Sequence, residues 1–312
     1  MTKPRLLVVT GPTASGKTAV AVEIALRANG EVVSADSMQI YRGMDILTAV
    51  PTEEEMRGVA HHMLAVADPG EKYSVAAYRD MALKCIYDIL ARGKQPIVCG
   101  GTGLYINALT RPLGFAAQGN EEIRAELMRI AEAPDGRAQL HAMLAQIDPE
   151  SAARLHPNDV RRVMRALEIY RLTGRTQTAQ AALDAQRGEG PFDERLYAPN
   201  WPRDVLYARI ERRVDAMLEA GLVAEVRHLM RSDAALSTAA QAIGYKEIAA
   251  ALRGEQTLDA AVNALKQATR NYAKRQLTWF RRDARVRWIP AQERTAAQLA
   301  DTIWSDFCAE RR

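Results

Sequence analysis

The feature that most constrains this chain is an eight-residue loop near its start. Gly11-Pro12-Thr13-Ala14-Ser15-Gly16-Lys17-Thr18 fits the pattern G-x-x-x-x-G-K-[ST] in full. It lies between a short apolar run, Leu6-Leu7-Val8-Val9, and a stretch with helical character over 18–28. A strand that enters a glycine turn and leaves as a helix is the setting in which this pattern binds phosphate. The glycines let the backbone wrap closely, so successive N–H groups converge on phosphate oxygens. The helix N-terminus adds partial positive charge. Lys17 supplies a full charge, and the Thr18 hydroxyl is placed to ligate Mg²⁺. A glycine turn without a ligand would satisfy the letters but leave the flanking strand and helix a coincidence. Residues 11–18 are therefore expected to hold a diphosphate or triphosphate.

Strand signals recur at 31–34 and 96–99, alternating with helical stretches over 18–28 and 73–92. That alternation predicts a parallel sheet with right-handed crossovers. From about Pro112 the pattern changes: 121–133, 137–146, 149–154 and 160–172 read as helices, and 186–191 as a connector. Segments 203–231 and 237–282 are helix-rich, and Trp288-Ile289 is a candidate last strand. The expected fold class is α/β. A P-loop NTPase-like parallel sheet core with a helical C-terminal part takes residues 1–112 and 198–312. A helical insertion domain takes residues 113–197. A chain of 312 residues is long enough for that division.

No apolar run approaches the ~20 residues of a membrane span. Cys85, Cys99 and Cys308 are too far apart for a disulfide framework or a zinc knuckle. These features predict a soluble cytoplasmic protein with no membrane partner, expected to be a monomer. The net charge of +4 decides little, but its distribution is informative. Between Lys266 and Arg287 eight basic residues face one acid, Asp283. Such clustering suits a polyanion surface, and it suits equally a set of braces to acids on neighbouring helices. His61, His62 and His156 have no metal-ligand partners at suitable spacing and read as structural.

The acids near the loop narrow the chemistry. An ordinary P-loop ATPase or GTPase ends a second strand in a carboxylate that supports Mg²⁺. Here the strand at 96–99 runs into Gly100-Gly101-Thr102-Gly103 with no acid, and the carboxylate follows the second strand instead, at Asp36. That strand is expected beside the P-loop strand, where sheet C-terminal ends form ligand crevices. Asp36 could act as a base on a group next to the phosphates, cap a turn, or support Mg²⁺ through water.

The residues around these points resemble the tRNA dimethylallyltransferases, also called tRNA isopentenyltransferases, of the bacterial type. After the loop come Ser34-Ala35-Asp36-Ser37 and Gln39-Ile40-Tyr41-Arg42-Gly43-Met44-Asp45-Ile46. His61-His62, Asp68-Pro69, Tyr73-Ser74 and Gly100-Gly101-Thr102-Gly103-Leu104-Tyr105 follow in the family's order. So do His156-Pro157-Asn158-Asp159, Arg165-Ala166-Leu167-Glu168, Arg209 through Arg213, Ile243-Gly244-Tyr245-Lys246-Glu247 and Ala273-Lys274-Arg275-Gln276. Leu47 and Val50 depart from the family's usual glycine and lysine, and Gln118-Gly119-Asn120 from its Pro-x-Ala-Asp.

The resemblance implies transfer of a dimethylallyl group from dimethylallyl diphosphate to N6 of adenosine-37 in the anticodon loop of tRNA. It implies catalytic roles for Asp36, Thr102 and Arg213, and Mg²⁺ on Thr18. It assigns tRNA contacts to Asp36, Ser37, Met38, Gln39, Thr102 and Arg124. Further contacts fall on Arg161, Arg162, Val163, Met164 and Arg165, and on Gln241, Ala242, Ile243, Gly244, Tyr245 and Lys246. Gln39 could read a base edge, and Tyr245 could stack on a base or simply join the core. Three other readings compete: an adenylate isopentenyltransferase, a P-loop small-molecule kinase, and a non-enzymatic RNA-binding protein. The arginine-rich insertion disfavours the first, the missing acid the second, and the complete loop the third.

Overall fold

The computed structural model describes residues 3–112, 114, 119–231 and 238–309; Gln118 and Ser237 lie outside them. The chain divides into two compact units, one of Met1–Thr110 with Pro191–Arg312 and one of Arg111–Gly190. In the first unit β1 (Arg5–Thr10), β2 (Gly30–Ser34), β3 (His61–His62), β4 (Gln95–Gly100), β5 (Asp193–Asn200) and β6 (Val286–Pro290) form one sheet. Their spatial order is β3-β2-β4-β1-β5-β6, and the strand pairings are parallel. The α/β reading therefore holds.

Leu6, Leu7, Val8 and Val9 of β1 are fully buried. Both faces of the strand are covered, which is why it reads as one apolar run. Helices Lys17–Ala28 and Ala296–Ala309 pack on the face of Leu7 and Val9. Helices Val75–Ala91 and Gly103–Thr110 pack on the face of Leu6 and Val8. A separate apolar cluster joins Tyr41 and Leu47 to Val214, Val226, Ile248 and Leu265.

Two sequence expectations are corrected here. The first is that β2 lies beside β1. It pairs with β4 and β3, and β4 stands between it and the P-loop strand. The crossover helix carries the chain past one sheet position, which β4 later fills. Asp36 still arrives near the loop because the chain after β2 turns across the end of β4. There Ala35 N–H donates to Cys99 O (2.8 Å) and Thr102 N–H to Ala35 O (3.1 Å). A Cβ on Gly100 would lie 2.2 Å from Ala35 O, so this close approach requires glycine.

The second is the end of the insertion, placed at 197. Residues 193–197 belong to β5, which pairs with β1 and β6. Its sequence DERLYAPN opens on three charged residues, so it shows no apolar run, yet Leu196, Tyr197 and Ala198 are buried. Helices Gly103–Thr110 and Ala296–Ala309 also went unforeseen, and Gly221, with φ of 101°, splits 203–231 into two helices.

The second unit is helical. Glu121–Glu132, Gly136–Ile147, Pro149–Arg154 and Val160–Thr173 surround Leu127, Leu140, Leu144, Val163 and Leu167. Gln177–Gln186 adds a helix that the sequence reading lacked, its first turn capped by the Thr176 hydroxyl. No helix among the described residues is long and apolar enough to cross a membrane.

Candidate active site

The loop after β1 needs unusual backbone angles. Gly11, Ala14 and Gly16 have φ of 131°, 61° and 83°, and two of the three are glycine, which meets no steric penalty there. Helix Lys17–Ala28 begins directly after it, so the helix N-terminus and the loop N–H groups share one concavity. Lys17 Nζ donates to Pro12 O at 3.3 Å and faces no carboxylate within ion-pair range among the described residues. Burial pulls its ammonium pKa down and nearby Arg213 adds to this, while Asp36 opposes. Arg213, on helix Arg203–Glu219, reaches Thr13 Oγ1 at 3.3 Å. Burial lowers its pKa too, against the pull of Asp36 and Glu55. Two desolvated cations thus line one cavity, an arrangement a phosphate dianion would relieve.

Three side chains that the sequence reading gave no role hold this loop in place. Arg209 Nε donates to Ala14 O (2.8 Å), and its guanidinium lies 4.4 Å from the Trp201 ring centre. Trp201 Nε1 donates to Ser15 O at 2.9 Å. Gln276 is 5% exposed; its Oε1 accepts from Thr13 N–H (2.8 Å) and its Nε2 donates to Gly101 O (2.9 Å). A Cβ on Gly101 would lie 2.2 Å from that amide nitrogen. The one signal for Gln276 was its place in a family motif, because its two partners are far away in sequence.

Thr102 pins the other side of the site. Its Oγ1 accepts from Ser37 N–H (3.0 Å) and donates to Ser37 Oγ (3.3 Å). Asp36 Oδ1 accepts from Met38 N–H at 2.9 Å, a local turn bond that leaves its other oxygen for the cavity. Tyr272 lies beside Thr102 and Gln276, and burial pushes its phenol pKa up.

Two cavities adjoin at these residues, sharing Thr13, Asp36, Thr48, Arg213 and Tyr272. One of about 50 Å³ is polar, with Lys17, Thr18 and Gly100 in its wall. The other, about 220 Å³, is walled largely by Leu47, Ile210, Val214, Met217, Ile243 and Leu265. Cys99 also faces the polar cavity, and burial pushes its thiol up to about 11, so it stays protonated and inert near neutrality. His61 lines the same cavity with Nδ1 2.9 Å from Val59 O, and burial lowers its pKa. His62 bonds Glu31 at 2.7 Å.

The IPP transferase family model matches residues 39–283, and an isopentenyl transferase model matches residues 4–69. The chain belongs to the IPP transferase family. It is 48% identical over 292 residues to the tRNA dimethylallyltransferase of Desulforudis audaxviator, covering 93% of each chain. It is 49% identical over 289 residues to that of Geobacter metallireducens, covering 92% of this chain and 93% of the relative. The crystal structure of a tRNA isopentenylpyrophosphate transferase from Bacillus halodurans aligns with a TM-score of 0.73 at 43% identity, over 99% of this chain and 97% of that one. A eukaryotic dimethylallyltransferase captured acting on tRNA aligns with a TM-score of 0.81 at 29% identity, over 99% of this chain and 80% of that one.

Within this IPP transferase the residues tied to tRNA by resemblance fall into different settings. Asp36, Ser37, Met38, Gln241, Ala242 and Ile243 line the larger cavity. Gln39 does not present a free base-reading edge: it accepts from Ser34 Oγ (3.0 Å) and donates to Ala49 O (2.9 Å), bracing the cavity wall. Gly244, with φ of 104°, packs against Leu47, and Tyr245 packs against the helical cluster, while Lys246 is exposed. On helix Val160–Thr173, Arg161 and Arg162 are exposed and Arg165 is half-buried. Val163 and Met164 are buried in the core of their unit, so their side chains make no surface. The helix turns them inward by its 3.6-residue period. In the basic run, Lys266 pairs with Asp215 (2.6 Å), Arg270 with Glu211 (2.5 Å), and Arg285 and Arg287 with Glu194 (2.8 Å) and Asp306 (2.6 Å). These four brace neighbouring acids. Arg275 instead lies over Tyr272 and lines the larger cavity.

Proposed function

We propose that this chain transfers a dimethylallyl group from dimethylallyl diphosphate to N6 of adenosine-37 in the anticodon loop of tRNA, in the cytoplasm, releasing diphosphate. The observation that carries this reading is the joined pair of cavities. A polar chamber with Thr13, Lys17 and Thr18 in its wall adjoins an apolar one, with Asp36 and Arg213 shared between them. An allylic diphosphate has the same two ends.

In the reaction the C1–O bond of the donor breaks, and its electron pair leaves on the diphosphate. Charge grows on the diphosphate oxygens, where Lys17, Arg213, Thr13 and the loop N–H groups stabilise it more than they stabilise the bound ester. The N6 lone pair, delocalised into the adenine ring, forms the new C–N bond. Asp36 accepts the N6 proton as that bond forms. Thr102 holds the Asp36–Ser37 turn still.

Mg²⁺ fits this donor set. Thr18 Oγ1, on the wall of the polar chamber, would supply an oxygen ligand and leave the Asp36 carboxylate free as the base, and no cluster of three or more His, Cys, Asp or Glu competes for a softer metal among the described residues. Mg²⁺ commonly takes one or two protein oxygens and completes its shell with phosphate and water. When bound it would neutralise charge on the leaving diphosphate.

The helical unit, with Arg124, Arg161, Arg162 and Arg165, is assigned to the RNA. The deciding assay offers labelled dimethylallyl diphosphate with tRNA, with free AMP, or with neither, beside an ATP-consumption control. Label is expected in tRNA alone. Label in AMP or loss of ATP would replace this reading.

A further inference from the structure

Helix Val160–Thr173 carries a buried carboxylate, Glu168, which is 1% exposed. Its Oε1 lies 2.7 Å from Arg124 Nε and accepts from Asn120 N–H at 2.8 Å. Its Oε2 accepts from Arg165 Nη1 (2.6 Å) and Arg124 Nη2 (3.3 Å). Burial pushes the Glu168 pKa up, but the bonds from Arg165, Arg124 and Asn120 more than offset this, so the group stays ionised. The two arginine side chains retain 48% and 34% of their exposure. The Arg124 guanidinium also lies close to Gly119, where a Cβ would be 1.9 Å from its Nη2. One buried carboxylate thus holds two arginines whose side chains remain partly exposed.

We propose that Glu168 is a positioning residue for RNA, presenting Arg124 and Arg165 as a fixed pair of phosphate-binding forks. This rests on the reading that these arginines meet tRNA phosphates. Two guanidinium groups side by side repel one another and would otherwise sample many rotamers. A shared buried carboxylate holds them together and removes that ordering cost from the binding step.

The idea makes a prediction of opposite sign to simple charge counting. Removing an acid adds net positive charge and by itself should tighten RNA binding. If Glu168 positions the arginines, Glu168→Gln weakens binding instead, by about fivefold, with a shallower salt dependence. Affinity for unmodified tRNA and steady-state kinetics would be measured for Glu168→Gln, Glu168→Asp, the Arg124→Ala/Arg165→Ala double variant, and that double combined with Glu168→Gln. We expect a higher KM for tRNA at unchanged kcat in each. Glu168→Asp keeps the charge one methylene short of the arginines; it should weaken binding too, and it decides the matter if Glu168→Gln fails to fold. Adding Glu168→Gln to the double variant should weaken binding no further, because its effect runs through those side chains. Wild-type or tighter binding by the Glu168 variants, or a fully additive triple, overturns the proposal. Unchanged affinity in the arginine double variant overturns the RNA reading beneath it.

Discussion

The cations of the P-loop site and those of the helical unit are held in opposite ways. Lys17 and Arg213 are desolvated, and their pKa values are lowered by burial. Arg124 and Arg165 are more exposed and sit on the buried Glu168. A buried cation without a bound acid is costly until an anion arrives, so its gain is greatest when charge grows on a leaving group. A solvated cation oriented by an acid below it gains little from chemistry but can hold a phosphate in place. The first arrangement suits a chemical step, and the second suits docking of a large polyanion.

Substitutions can break or sharpen this contrast. The largest effect is expected for Asp36→Asn, which keeps the shape of the junction but cannot take the N6 proton. Turnover should fall by about 10³-fold, with tRNA affinity within about twofold; single-turnover transfer assays beside filter binding would read both. Turnover near wild type would remove Asp36 from the mechanism. Arg213→Ala should lower kcat by about 10²-fold, with little change in the salt dependence of tRNA binding. Gln276→Leu leaves Thr13 N–H and Gly101 C=O without their partner; we expect kcat about tenfold lower, since an unmet buried polar group costs roughly 1–3 kcal/mol and the loop relaxes to meet it. Arg161→Ala with Arg162→Ala should do the reverse of Arg213→Ala, raising KM for tRNA by about fivefold at unchanged kcat, an effect that shrinks with added salt.

The smallest effect concerns stability. Glu31, 3% exposed, takes bonds from Arg92, Lys94 and His62, and the side-chain bond from Arg92 leads in holding its pKa far below the usual carboxylate range. A carboxylate with a lowered folded-state pKa contributes stability above its unfolded value, and that stability is lost as pH falls. Thermal melts should therefore show the wild type keeping its advantage over Glu31→Gln from neutral down to the ordinary carboxylate range and losing it as pH drops through and below that range. A constant gap across that range would contradict the assignment.

Legibility in the sequence followed the range of the interactions. The loop 11–18 was readable because its backbone angles depend on its own glycines and its neighbours are a plain apolar strand and a helix. Helix Pro149–Arg154 appeared at its observed bounds because Asp148 caps it locally and Pro149 starts it. β5 was not readable, because it is made a strand by β1 and β6 rather than by its charged opening residues. Helix Ala296–Ala309 was likewise overlooked although it buries Leu299, Ile303 and Phe307 at helical spacing. Gln39 shows a different limit within the site: its residue type suits base reading, but Ser34 and Ala49 claim its amide through the path of the loop that joins them.

By itself, the sequence determined the glycine loop between β1 and its helix, the α/β class and the family, since each is written in contiguous residues whose geometry is locally dictated. Only the tertiary structure decided that β4 lies between the P-loop strand and the strand before Asp36, that Gln276 ties the loop to the turn after β4, and that Glu168 meets Arg124. Those facts depend on hydrogen bonds and packing between residues tens to hundreds of positions apart, and no local pattern encodes which distant partner a polar side chain will meet.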